Sequence, residues 1–241
     1  MTDEALPTYA LDDGIAVITL DDGKANAMST AVIATLETLL DQAHSDEARA
    51  LVIVGRPGKF SAGFNLAEMT ESDETMRALV VRGGRWLLRL YGYGLPTIAA
   101  CTGHALAGGA LTLLACDVRI GADVSAKIGL NEVAIGMPLP KFAVELARER
   151  IQKRAFTAAI TGQVYDPAGA AEVGYLDRVV PEDQVIAEAM AEARRLGELR
   201  TGAYARTKAN ARHAMIEAQD EDILHDLSTV AGPTPPEHTR S

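Results

Sequence analysis

Phe60-Ser61-Ala62-Gly63-Phe64-Asn65-Leu66 and Gly103-His104-Ala105-Leu106-Ala107-Gly108-Gly109 are two glycine-bearing stretches that each follow a short apolar run, residues 51–55 and 97–101. The apolar runs read as strands. A glycine-rich turn after a strand leaves backbone N–H groups free to point into a shared cleft, where they can hold an oxyanion. Further along comes a lone carboxylate, in Ile128-Gly129-Leu130-Asn131-Glu132-Val133. The pattern is two backbone donors and one base.

Working outward, residues 15–20 form a β-branched run after the turn Asp12-Asp13-Gly14 and read as a strand, with a partner at 8–11. Ser29 is placed to cap a helix running to residue 43, whose apolar face carries Val32, Ile33, Leu36, Leu39 and Leu40. The polar stretch 70–74 reads as a mobile flap ahead of a helix over 75–91. A helix over 109–116 and a strand over 118–121 complete a second strand–helix–strand unit. Such alternation predicts parallel strands joined by right-handed crossovers, an α/β fold. Beyond Glu132 the pattern turns helical, over 141–151, 153–161, 182–199 and 203–219. Asp166-Pro167 starts a shorter helix, Gly174 ends it, and a strand over 175–180 follows. The segment from Gly232 to Pro236 cannot continue a helix and predicts a disordered tail.

The 241 residues suffice for one sizeable core, and with 48% hydrophobic but only 5% aromatic residues that core must be built from Ala, Val, Ile and Leu. The net charge of −10, from 33 acidic and 23 basic groups, argues against nucleic acid as a partner. No stretch reaches the roughly 18 to 20 apolar residues of a membrane span, and the acidic N-terminus is unlike an export signal. A cytoplasmic protein is expected. Cys101 and Cys116 lack metal-ligand spacing and read as small core residues. There is no HExxH, GxGxxG or GxSxG motif, and 55–59 lacks Walker spacing.

The order and spacing of the three segments resemble the crotonase superfamily, the enoyl-CoA hydratases and isomerases, over roughly residues 10 to 225. The run 128–132 with Gly136 resembles most closely the Δ3,Δ2-enoyl-CoA isomerase branch. The resemblance implies a crotonase-like spiral of ββα and βαβ turns over 1–180, a helical trimerisation region over 181–231, a tail over 232–241, and a homotrimer or hexamer. It further implies an acyl-CoA thioester as partner, with no cofactor and no metal. Backbone N–H groups of Phe64 and Gly108 would bind the thioester oxygen, and Glu132 would act as the acid/base. Lys24, Ala25, Ala62, Leu66, Leu111 and Gly136 would contact substrate or coenzyme A, with Arg56, Lys59 and Lys208 as further phosphate candidates. Two-carboxylate hydratases resembling this chain carry a second glutamate where counting back from Cys116-Asp117 places Leu111, and leucine cannot activate water. A neighbouring Thr112 lies about 100° around the helix. His104 reads as a turn or core-edge residue, and Lys141 as unexpected beside an acyl pocket. An isomerase is therefore expected; a hydratase, or an acyl-CoA-binding protein without turnover, is the alternative.

Overall fold

The computed structural model describes residues 5–230. The first half runs β1 (Thr8–Asp12), β2 (Ile15–Leu20), β3 (Ala27–Met28), α1 (Thr30–Ser45), β4 (Ala50–Gly55), β5 (Gly58–Ser61), β6 (Gly63–Phe64), α2 (Leu66–Glu71) and α3 (Asp73–Tyr91). There follow β7 (Thr97–Cys101), β8 (Gly103–Leu106), α4 (Gly108–Ala115), β9 (Val118–Ala122) and β10 (Ile128–Gly129). The remainder is α5 (Lys141–Arg150), α6 (Phe156–Ile160), α7 (Pro167–Val173), β11 (Arg178–Val180), α8 (Val185–Gly197) and α9 (Thr201–Asp226).

The large sheet has the order β1-β2-β4-β7-β9-β11, so strands join it in chain order, and all its pairings are parallel except β1 with β2. After β4, β7 and β9 the chain contributes a second, short strand to a parallel sheet ordered β10-β8-β5. A third pairing, β3 with β6, is also parallel. Each turn of the spiral thus adds one long and one short strand. The short strands correct the sequence reading, which took these stretches as loops. They are two to four residues long and rich in Gly, Ala and Ser, so their β character comes from pairing with distant backbone rather than from local preference.

β4 is buried along its whole length. Leu51 and Ile53 face the main core with α1, α3 and α4, while Ala50, Val52 and Val54 join Ile98, Ala100 and Ile120 against Val185, Ala189 and Ala193 of α8. A parallel strand covered on both faces reads as an unbroken apolar run for this reason. Both cysteines are fully buried, and burial pushes their thiols up to about 12.

Local signals placed several helix ends. Ser29 Oγ accepts the Val32 N–H at 3.1 Å, and Asp166 Oδ1 accepts the Gly169 N–H at 2.7 Å with Pro167 at the first helical position. The expected flap at 70–74 is instead a helix–helix junction. Ser72 Oγ accepts the Thr75 N–H at 3.0 Å and starts α3 earlier than read, with Asp73 and Glu74 in the first turn where the helix dipole favours them. The predicted helix over 153–161 shrinks to α6, the strand over 175–180 to β11, and the helix over 182–199 begins with a 3₁₀ turn at Glu182–Gln184. α9 is longer than read at both ends. The expected tail over 232–241 lies outside the described residues.

α9 is tied to the core by a buried charge cluster. Asp117 accepts from Lys208 Nζ at 2.7 Å, Arg212 at 2.7 Å, the Tyr204 hydroxyl at 2.8 Å and the Thr97 N–H at 2.9 Å. Burial works to raise the Asp117 carboxyl, but the two cations outweigh it and hold the group below its usual value. Asp117→Ala strands two buried cations, and should cost about 3–5 kcal/mol in urea unfolding; a loss under about 1 kcal/mol would show that the cluster does not anchor α9.

Candidate active site

The site begins with Asn26, which the sequence reading passed over. Its side-chain amide donates to Leu20 O at 2.7 Å and Phe60 O at 3.1 Å, and its Oδ1 accepts the Asp22 N–H at 2.9 Å. Ser61 Oγ donates to Asn26 O at 2.7 Å, and the Ala62 N–H to Ala25 O at 2.9 Å. These bonds lace the β2–β3 loop to the β5–β6 turn, and so place Ala25 and Ala62 side by side. No local signal marks Asn26, because its role comes from bonds that reach as far as Phe60 O.

The Asn65 N–H donates to Met28 O at 3.0 Å. Successive groups of an extended chain alternate sides, so the Phe64 N–H points away from β3, towards the start of α4. There the Gly108 N–H, at the first helical position, needs no acceptor within its own helix. The two backbones nearly touch. A Cβ at Gly63, where φ is +91°, would lie 2.9 Å from Gly108 N, and one at Gly108 would lie 3.5 Å from Phe64 N and 2.5 Å from Met28 Cε. Ala107, just before the donor, has φ 49° and ψ −123°, a strained conformation for a residue with a side chain. Its N–H is fixed to Gly129 O at 3.1 Å.

These elements border a cavity of about 940 Å³. Ala25, Ala62, Phe64, Leu66, Leu111, Glu132 and Gly136 all line it, joined by Met76, Val80, Phe142 and, from the end of the described chain, Leu227 and Val230. The last two were not foreseen, because nothing local shows that the end of α9 returns to this place. Among the described lining residues only Thr70, Asn131 and Glu132 carry polar side chains, and the Thr70 hydroxyl is engaged by Leu66 O at 2.8 Å.

Glu132 leads into a 3₁₀ turn, Val133–Ile135, closed by Gly136 with φ +79°. Its main-chain oxygen accepts from Ile135 and Met137 at 3.0 Å, which fixes the side chain's origin. Carboxylate Oε2 is buried with no hydrogen-bond partner. Desolvation raises the carboxyl from 4.5 to about 7, and a hydrogen bond from its own N–H offsets only part of this. Leu111, which lines the same cavity, is buried in α4. Thr112 is no substitute base, since its hydroxyl donates to Gly108 O at 2.9 Å.

The basic candidates divide. Lys24 is exposed near Ala25, whereas Arg56 lies 3.1 Å from Asp21 and donates to Lys24 O at 2.9 Å, so its charge is partly met. His104 sits on β8, where its Nδ1 accepts the Lys127 N–H at 3.0 Å. Burial first, then the charges of Lys59 and Lys127, hold it below the usual histidine value. Lys208 is corrected. It is buried in the Asp117 cluster, and desolvation pushes its ammonium down to about 8. Lys141 turns outward to Asp222 at 3.1 Å while its N–H donates to Asp226 at 2.8 Å, so it latches α9 to α5 and leaves the cavity wall to Pro140 and Phe142.

The sequence matches the enoyl-CoA hydratase/isomerase family model over residues 10–237. The chain belongs to this family. It is 32% identical over 227 residues to the human mitochondrial enoyl-CoA delta isomerase 1, covering 90% of this chain and 75% of that protein. It is 35% identical over 185 residues to a putative enoyl-CoA hydratase of Thermus thermophilus, covering 74% and 73%. A crystal structure of an enoyl-CoA hydratase/isomerase family protein from Pseudomonas syringae superposes with a TM-score of 0.90 at 39% identity, covering 92% of this chain and 97% of that one. The α/β spiral is therefore the family's fold, and the family acts on acyl-CoA thioesters. No described helix is long and apolar enough to cross a membrane.

A raised carboxyl pKa has a thermodynamic signature. The folded state binds the Glu132 proton more tightly than the unfolded chain, so ionising this group costs stability. Below pH 4.5 the cost is absent, it grows between 4.5 and about 7, and above that it is complete. Glu132→Gln should accordingly be more stable than the parent at pH 8 by up to about 3 kcal/mol, with the gap closing near pH 4.5. Thermal melts across that range check it, and a pH-independent gap would contradict the buried carboxylate.

Proposed function

We propose that the protein isomerises 3-enoyl-CoA to 2-enoyl-CoA. The observation that carries the reading is that Glu132 is the only titratable side chain among the described residues lining the cavity, which Leu111 also lines. Ionised Glu132 removes a C2 proton, and the electron pair delocalises onto the thioester oxygen as a dienolate. Backbone N–H groups of Phe64 and Gly108 hold that oxygen, and the dipole of α4 adds to the field. Glu132 returns the proton at C4, and the double bond passes from C3=C4 to C2=C3. The thioester itself accepts the charge, so this chemistry draws on no cofactor. The apolar lining suits an aliphatic acyl group, and Lys24 and Lys59, close in sequence to the lining residues Ala25 and Ala62, are the candidate cations for the phosphates of coenzyme A.

Hydration is the second reading, favoured by the hydratase names among the relatives. It needs a second group to activate water, and Leu111, at the position the family resemblance gives that group, supplies none. Separate incubation with 3-enoyl-CoA and 2-enoyl-CoA should give fast isomerisation and poor hydration, and fast hydration would overturn the assignment. Glu132→Gln should lower isomerisation roughly 10²- to 10⁴-fold while acyl-CoA binding survives. Parent activity should rise with pH to a plateau about a midpoint near 7, since the base works ionised.

We also read the chain as a homotrimer, or two trimers paired as a hexamer. Ile186 and Leu199 are 48% exposed and Leu224 61% exposed on the late helical region, apolar surface that closed association would cover. Sedimentation should show a trimer or hexamer, and a monomer independent of concentration would contradict it.

A further inference from the structure

α3 carries the tandem Gly83-Gly84 at its centre, a place where glycine is a poor helix former and where ordinary helical backbone needs none. Space explains both. A Cβ at Gly84 would meet Ile223 Cδ1 at 2.6 Å and Phe142 Cε1 at 2.8 Å, both packing groups of the core. The three atoms nearest a Cβ at Gly83 would all belong to the Phe64 ring, with Cζ at 2.5 Å and Cε1 closer still.

Phe64 is half-buried and has one face on the cavity. β6 is only two residues long and is held to β3 along one edge, by the pairs Ala27–Gly63 and Met28–Phe64 and the Asn65 N–H bond to Met28 O, so the seat of the Phe64 ring on α3 sets how the strand is turned about that edge. We propose that Gly83 is a positioning residue for the reaction: its missing side chain leaves the notch in α3 that seats the Phe64 ring and thereby holds the Phe64 N–H beside that of Gly108. The inference rests on the oxyanion role proposed above. Adding a methyl to the notch drives the ring outward and, through a strand too short to absorb the shift, turns the donor away. The backbone of α3 itself gains helix propensity from the same change, so the effect lies in the ring contact.

The test is a double-mutant cycle of Gly83→Ala and Phe64→Ala, with Gly84→Ala as the control on the same helix. Two quantities are read: kcat and KM for a 3-enoyl-CoA, and the near-ultraviolet enolate band of bound acetoacetyl-CoA, which reports oxyanion stabilisation without turnover. Gly83→Ala should lower kcat about tenfold or more and weaken the enolate band, with KM changed about twofold at most. In the Phe64→Ala background the same substitution should change both by no more than about twofold, because the ring it displaces is gone. Gly84→Ala should lower the melting temperature equally in both backgrounds. Should Gly83→Ala not fold, Phe64→Trp enlarges the ring against the same notch and should give the same loss of kcat and enolate band. Unchanged kcat and band in Gly83→Ala, or equal losses in both backgrounds, would overturn the proposal. A parent that forms the enolate but does not isomerise would sink the isomerase reading and leave Gly83 testable by the band. A parent that does neither overturns both.

Discussion

Two stretches of backbone, at Gly63 and Gly108, approach so closely that a Cβ at Gly63 would lie 2.9 Å from Gly108 N, while one at Gly108 would press on Met28 Cε at 2.5 Å. That contact is the constraint on which the rest depends. It demands a short strand beside the start of a helix: β6, paired with β3 directly after β5, supplies the strand, and α4, directly after β8, supplies the helix. The Asn26 and Ser61 bonds hold one side of the contact, and the Ala107–Gly129 bond holds the other. A pair of N–H groups fixed in this way undergoes little reorganisation when charge appears on a bound oxygen, which is where such groups are most effective.

Charge economy is the second constraint on the site. An apolar cavity makes an ionised Glu132 costly, and the described structure gives its buried oxygen no donor. The contrast with Asp117 is instructive: both carboxyls are buried, yet two cations and several hydrogen bonds keep Asp117 below its ordinary range while Glu132 rises to about 7. One carboxylate is tied down to hold a helix, and the other is left able to exchange a proton near neutrality.

What was legible in the sequence was local or carried by spacing. Ser29, Ser72 and Asp166 cap helices through bonds to residues three positions on, and the first and third of these starts were readable from residue type alone. Ser72 was missed because the polar residues around it read equally well as a loop. The family resemblance, with a count back from Cys116-Asp117, implied a place for Leu111 at the site, and the structure brings Phe64, Leu111, Glu132 and Gly136 to one cavity. The short strands were not legible, since Gly103-His104-Ala105-Leu106 has no β preference until β5 and β10 flank it. Lys208 was misjudged for a similar reason: a lysine on a polar late helix resembles a surface charge until Asp117 and Leu95 O are found beneath it. Leu227 and Val230 belong with these, because contacts across 150 residues leave no mark on a local pattern.

The central claim is that one carboxyl both removes and returns the proton in a site shielded from water. Label transfer within the substrate tests it most directly. A 3-enoyl-CoA carrying deuterium at C2, converted in ordinary water in a single turnover, should deliver part of its label to C4 of the 2-enoyl product, because the proton resides on Glu132 between the two steps. Product in which every new C4 hydrogen comes from solvent, under conditions where exchange of the free substrate is slower than turnover, would contradict a single shielded carboxyl and the account built on it.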